Sequence, residues 1–174
     1  MIPVGRRRWA FLPLLALTFV LGGVLVYVDG PLQTAAAPRG ILSYEVAGSV
    51  EVARRMLDSW AGQATAYAGF SLGIDYLYMP AYSTTLALGC LWAAGVLGGV
   101  SVRLASLGVA LAWGQWLAAL LDAKENVALT LMLFGGAREP WPWIAWWCAV
   151  PKFVLISAGM LYALAAVAVR AVRR

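Results

Sequence analysis

Residues 6–28 read RRRWAFLPLLALTFVLGGVLVYV: three arginines, then an apolar run that stops at Asp29-Gly30-Pro31. From Trp9 to Val28 no side chain is charged. Roughly 20 residues at ~1.5 Å each cross the ~30 Å hydrocarbon core of a bilayer. A basic cluster ahead of such a run and a turn signal behind it mark a membrane span. The competing reading is a cleaved signal peptide with Ala35-Ala36-Ala37 as its small-residue site. Signal-peptide cores run to about 7–15 apolar residues, so the length of this run favours a retained span.

The rest of the chain repeats the pattern. Of 174 residues, 63% are hydrophobic and 12% charged, with a mean hydropathy of +0.79, against roughly 25% charged in soluble domains. Three further apolar stretches follow, within residues 64–97, 104–134 and about 141–169, separated by Gly98-Gly99 and Gly135-Gly136. Pro80 and Pro151 interrupt the second and fourth spans, freeing the carbonyls of Tyr76 and Trp147. The expected fold is all-α: an antiparallel bundle of four transmembrane helices in one domain, with one external amphipathic helix.

That helix lies in the only long polar stretch, residues 30–63. After Ser49, a suitable N-cap, Val50, Ala53, Met56, Leu57 and Trp60 share one helical face. Glu51, Arg54, Arg55 and Asp58 occupy the other, with Glu51/Arg55 and Arg54/Asp58 spaced for ion pairing. Such a helix lies on the membrane, caps the bundle, or leads solvated into the second span.

The net charge of +5 is distributed as a topology signal. Arg6, Arg7, Arg8, Arg103, Arg170, Arg173 and Arg174 fall on one side with no acidic residue. Arg39, Arg54, Arg55 and Arg138 fall on the other with Asp29, Glu45, Glu51, Asp58 and Glu139. The positive-inside rule then puts both termini in the cytoplasm, and nucleic acid is not an expected partner. Trp60, Trp141, Trp143, Trp146 and Trp147 fit an outer aromatic belt, and Trp9 an inner one. Arginine outnumbers lysine 11 to 2, and with abundant Ala and Gly this fits GC-rich coding and a bacterial cytoplasmic membrane. The two cysteines, Cys90 and Cys148, fall in different spans, and histidine is absent. No metal site and no cofactor are expected from that inventory.

Five charged residues interrupt the apolar runs: Asp75, Asp122, Lys124, Glu125 and Lys152. A charge inside a span needs a partner, water or a protein interior. Counting ~1.5 Å per residue from the cytoplasmic ends places Asp122 at ~28 Å, Glu125 at ~33 Å, Asp75 at ~35 Å and Lys152 at ~27 Å. One outer layer therefore collects residues from three spans. Helical spacing aligns Ser71, Asp75, Tyr78, Tyr82, Thr85 and Gly89 on the second span. On the third it aligns Ala110, Gly114, Ala118, Asp122 and Asn126, a small-residue packing stripe running into acid and amide. Cys148, Lys152, Gly159, Ala163 and Ala166 share a face of the fourth, whereas Lys124 turns away and reaches for the headgroups.

Three readings of the cluster Asp75, Tyr78, Tyr82, Asp122, Glu125, Asn126 and Lys152 compete. Lys152 pairs with Asp122 or Asp75 and the cluster is structural. Alternatively it binds a lipid-like or cationic ligand, or passes a proton or cation, the last requiring an oligomer. In the third reading the carboxylates serve an intramembrane enzyme acting on a lipid or isoprenoid. Carboxylates and an amide suit a hard cation, but a lysine in the layer opposes one. Asp122-Ala-Lys-Glu-Asn126 matches no phosphate, metal or nucleophile signature.

The stretches Leu-Gly-Ile-Asp75-Tyr-Leu-Tyr-Met-Pro80-Ala-Tyr82 and Leu121-Asp122-Ala-Lys-Glu125-Asn126 carry a resemblance. Over roughly residues 44–160 the chain resembles a group of small, uncharacterised bacterial four-span integral membrane proteins. The resemblance implies four helices around a shared polar centre and brings no activity with it. The expected role is binding or accessory, with membrane lipids as partners; a homo-oligomer or a membrane-protein partner stays open.

Reporter fusions test the orientation. Fusions after residue 40 or 138 are expected to report the outside, and fusions after 101 or 174 the cytoplasm. An outside signal at 101 would invert the protein.

Overall fold

The computed structural model describes residues 4–173, with side chains from Trp9 onward. The side chains of Arg6, Arg7, Arg8 and Arg174, which carry much of the charge bias, lie outside the described residues. The described elements are α1 (Val4–Asp29), a 3-10 turn (Gly30–Leu32), α2 (Ile41–Glu45), α3 (Val50–Ser59), α4 (Gln63–Gly98), α5 (Val102–Gly135) and α6 (Trp141–Val172). No strand occurs among the described residues. Four helices, α1, α4, α5 and α6, are long and apolar enough to cross a membrane. The fold is all-α and polytopic, as lipid demands: a spanning backbone must satisfy its own N–H and C=O groups, and a helix does so within one segment.

Glycines and short caps set the helix ends. After α4, the amides of Val100 and Ser101 both bond back to the Leu97 carbonyl at 2.9 and 3.0 Å, and Ser101 opens α5. Gly136, with φ of 79°, takes the left-handed conformation that ends α5. Inside α4, the Thr84 hydroxyl donates to the Pro80 carbonyl at 2.6 Å and the Thr85 hydroxyl to the Ala81 carbonyl at 2.8 Å.

The chain divides into two compact units. One comprises residues 19–79 and 120–151, the other residues 1–18, 80–119 and 152–174.

In the first unit, residues 30–62 fold as a cap. Its core is made by Leu32, Ala37, Tyr44, Ala53, Met56 and Trp60, packed on Ala68 and Leu72 of α4 and on Ala128, Leu129 and Met132 of α5. Trp60 and Tyr44 meet edge to face at 5.2 Å, a favoured aromatic geometry. Their polar tips are satisfied: Trp60 Nε1 donates to the Leu32 carbonyl at 2.8 Å and Tyr44 Oη to the Leu129 carbonyl at 3.2 Å. Burial pushes the Tyr44 phenol well above its ordinary ionisation range. Ser49 caps α3 by accepting from the Val52 amide at 3.3 Å. The apolar face of α3 therefore lies against protein; capping, not lying on the membrane, is its role here. Glu51 and Arg55 pair at 2.8 Å on the exposed face, where such a pair contributes little. Arg54 and Asp58 form no ion pair among the described residues.

The cap is moored at Asp29, the last residue of α1. Its Oδ1 accepts from the Ile41 amide at 2.7 Å, and its Oδ2 from Gln33 Nε2 at 3.2 Å. Gly40, at φ 51°, makes the approach feasible, since a Cβ there would run into the Asp29 carboxylate.

The second unit packs α4, α5 and α6 through Ala87, Cys90, Ala93, Leu97, Ala112, Tyr162 and Ala166. Its closest approaches are at Gly108 and Gly159. A Cβ on Gly108 would overlap Tyr162 and Ala94, and one on Gly159 would overlap the Gln115 amide. Gln115 Nε2 reaches the Leu155 carbonyl at 2.9 Å, Cys90 Sγ the Gly159 carbonyl at 3.6 Å, and Tyr162 Oη the Leu104 carbonyl at 2.7 Å. Among the described residues, Gln115 Oε1 and Ser83 Oγ are buried and find no hydrogen-bond partner.

The expected packing stripe is thus only partly the packing surface. Ala110 is exposed, and a Cβ on Gly114 would lie 3.2 Å from Leu155 Cδ2, tight but against a flexible side chain. Ala112, which lies off that stripe, is 4% exposed and belongs to the core.

Substituting Gly108→Val is expected to lower the thermal midpoint in detergent more than Gly114→Val. The overpacking penalty is about 1–3 kcal/mol, because at Gly108 the obstacle includes the stiff Ala94 Cβ. Leu117→Ala, on an exposed position, serves as the neutral reference. Equal loss at 108 and 114 would show that the close approach is not where α4 and α5 are held.

Candidate functional site

The polar residues of α5 lie where their spacing put them. Asp122, Glu125 and Asn126 are 4%, 0% and 2% exposed, on one inward strip of the helix. Lys124, between them in sequence, is exposed. A step of three or four residues returns to the same helical face, and a step of two does not.

Asn126 makes the defining contact. Its Nδ2 donates to Asp75 Oδ2 at 2.9 Å and to the Leu72 carbonyl at 3.2 Å, tying α5 to α4 inside the first unit. Asp75 is half-buried, as is Tyr78, whose ring would lie 3.5 Å from a Cβ on Gly22 of α1. Carboxylates held in a protein interior favour a cationic or hydroxyl-bearing partner.

Directly toward the cap the surroundings become apolar. Ala128, Leu129 and Met132 on α5 and Ala68 and Leu72 on α4 are buried together with Tyr44 and Trp60. The Tyr44–Leu129 bond fastens this plug to α5 less than one turn from Asn126. The carboxylates therefore lie beneath a dry layer at the cap end.

Tyr82 and Lys152 belong to the other unit, where both are buried; Lys152 is 3% exposed and its Nζ lies 4.7 Å from the Phe153 ring centroid. Among the described residues no three acidic or thiol side chains converge as a metal cage. Sequence reasoning missed Tyr44 and Trp60 as the lid of the polar group. Trp60 carried a signal in its place on the apolar face of α3, though it is buried in the cap and not set in an aromatic belt; Tyr44 carried only its aromatic character within a polar stretch. The chain matches no protein-family model, no curated protein and no solved structure.

Replacing Asn126 with Leu is expected to destabilise the fold by about 1–2 kcal/mol, since it removes a charge-assisted bond and a bond to a backbone carbonyl. Lys124→Gln should stay within about 0.5 kcal/mol, as exposed substitutions do. Denaturant unfolding in detergent measures both. If Asp75→Ala and Asn126→Leu prove fully additive, the bond between them carries no stability.

Proposed function

We propose that this chain is a bacterial cytoplasmic-membrane protein with a binding or accessory role, both termini inside. Its polar group holds the cationic or hydroxyl-bearing head of a lipid-like molecule. The observation that carries this reading is the Asn126–Asp75 bond at 2.9 Å, beside buried Asp122 and Glu125 and beneath an apolar plug. A polar cluster sealed from water on the cap side is suited to a ligand that arrives through the lipid. Asp75, half-buried on α4 with Tyr76 and Leu77 exposed next to it, marks the side of approach. The plug also weighs against a through-path for ions.

Dodecylammonium, dodecanol and dodecyl sulfate, each at low mole fraction in a neutral detergent, distinguish the possibilities. The ammonium is expected to stabilise the protein saturably, by about 2.7 kcal/mol at roughly a hundredfold excess over Kd. Dodecanol should act more weakly and the sulfate not at all. Asp75→Asn and Asp122→Asn should abolish the ammonium effect with the helical content intact. Stabilisation by the sulfate, or by the ammonium in both variants, would remove the carboxylates from the site.

A further inference from the structure

The two short helices of the cap present opposite surfaces. α3 turns its apolar face into the core and exposes Glu51, Arg54, Arg55 and Asp58. On α2 Tyr44 is buried, whereas Leu42 and the C-cap residue Val46, four positions on, are 46% and 45% exposed, with half-buried Glu45 beside them. Arg39 precedes them and is also exposed. One piece of chain thus carries a charged surface and a small apolar one with a cation at its edge.

The position of α2 is fixed by the Asp29 mooring. The Ile41 amide, at the first residue of α2, is bonded at 2.7 Å to the last residue of α1. The Arg39 amide donates to Ser43 Oγ at 2.9 Å and the Ser43 amide to the Gly40 carbonyl at 3.1 Å, which locks the entrance to the helix. α1 is a candidate membrane span whose outward side is apolar to its end: Phe19, Val20, Val26 and Tyr27 are all exposed. The start of α2 is therefore held at the level where that lipid-facing surface stops.

We infer that α2, rather than α3, is the cap's membrane contact, with Leu42 and Val46 immersed at the boundary between acyl chains and headgroups of the surrounding phospholipid. Arg39 reaches the phosphate layer beside them. An exposed apolar pair has a favourable environment there and none in water, and an arginine at that depth meets phosphate oxygens. The surface of α3 has the opposite requirement and faces water. The cap is accordingly held down on one side by lipid and on the other by its own core.

Site-selective labelling tests this in the full chain, reconstituted alone in phosphatidylcholine nanodiscs. An environment-sensitive fluorophore is attached to Leu42→Cys, to Val46→Cys, and to Arg54→Cys as the water-facing reference. The native Cys90 and Cys148 are buried, and the unsubstituted protein gives the background labelling. The labels at 42 and 46 are expected to emit at shorter wavelength than the label at 54. They should be quenched several-fold more by lipids carrying a nitroxide near the carbonyl end of the acyl chain than by aqueous iodide, with the reverse order at 54. Having two positions guards against one variant failing to fold. Iodide quenching at 42 and 46 equal to that at 54 would overturn the inference in favour of a water-facing helix. Protection from both quenchers would overturn it in favour of contact with a second protein chain.

Discussion

A hydrocarbon solvent offers a hydrogen-bonding group nothing, so each donor within the spans must find its acceptor in the protein. Long helices meet this demand for the backbone. The side chains meet it in a recurring way, by donating to carbonyls that already serve a helix. Gln115 reaches Leu155, Tyr162 reaches Leu104, Cys90 reaches Gly159, Asn126 reaches Leu72, and Tyr44 reaches Leu129. A carbonyl oxygen has two lone pairs, and the helix uses one. The second is the available adhesive where side-chain acceptors are scarce. These bonds join helix to helix together with the apolar cores and the glycines that allow close approach.

The same economy separates what could be read in the sequence from what could not. The spans were legible because long, predominantly apolar runs have few fates other than a membrane helix. Ser49 and the charges of α3 were legible because capping and amphipathicity are local. The packing surface was legible in part. Ala118, Asp122 and Asn126 of the stripe are buried, but at 3.6 residues per turn each step of four drifts by roughly 40°, so the stripe winds off the contact and Ala110 ends exposed while Ala112 is in the core. The close approach of Tyr162 to Gly108 depends on which helices meet there, and α5 alone does not contain that information.

The polar group was legible in part for the same reason. Asp122, Glu125 and Asn126 lie on α5, so their shared face follows from helix geometry alone. That Asn126 would choose Asp75 over the other groups within reach depends on the register of α4 against α5. The lid was legible only as one of three possible placements of α3, and its anchor was hidden. Asp29 reads as a turn residue at the end of a span, and only the returning chain makes it the anchor of Ile41. Tyr44 and Trp60, separated in sequence, become one aromatic pair because that anchor brings the loop back over the helix ends.

Gln115 and Gly159 have a consequence of another kind. The glutamine amide is oriented by two carbonyls, Leu111 and Leu155, so neither glutamate, which has no N–H, nor the shorter asparagine can take its place. The space it fills exists because position 159 carries no side chain. The two positions are therefore constrained jointly. Descent with modification can exchange them together, a larger residue at 159 accompanying a smaller one at 115, but each blocks change in the other. In any set of descendants of this chain, they are the pair whose histories should be correlated.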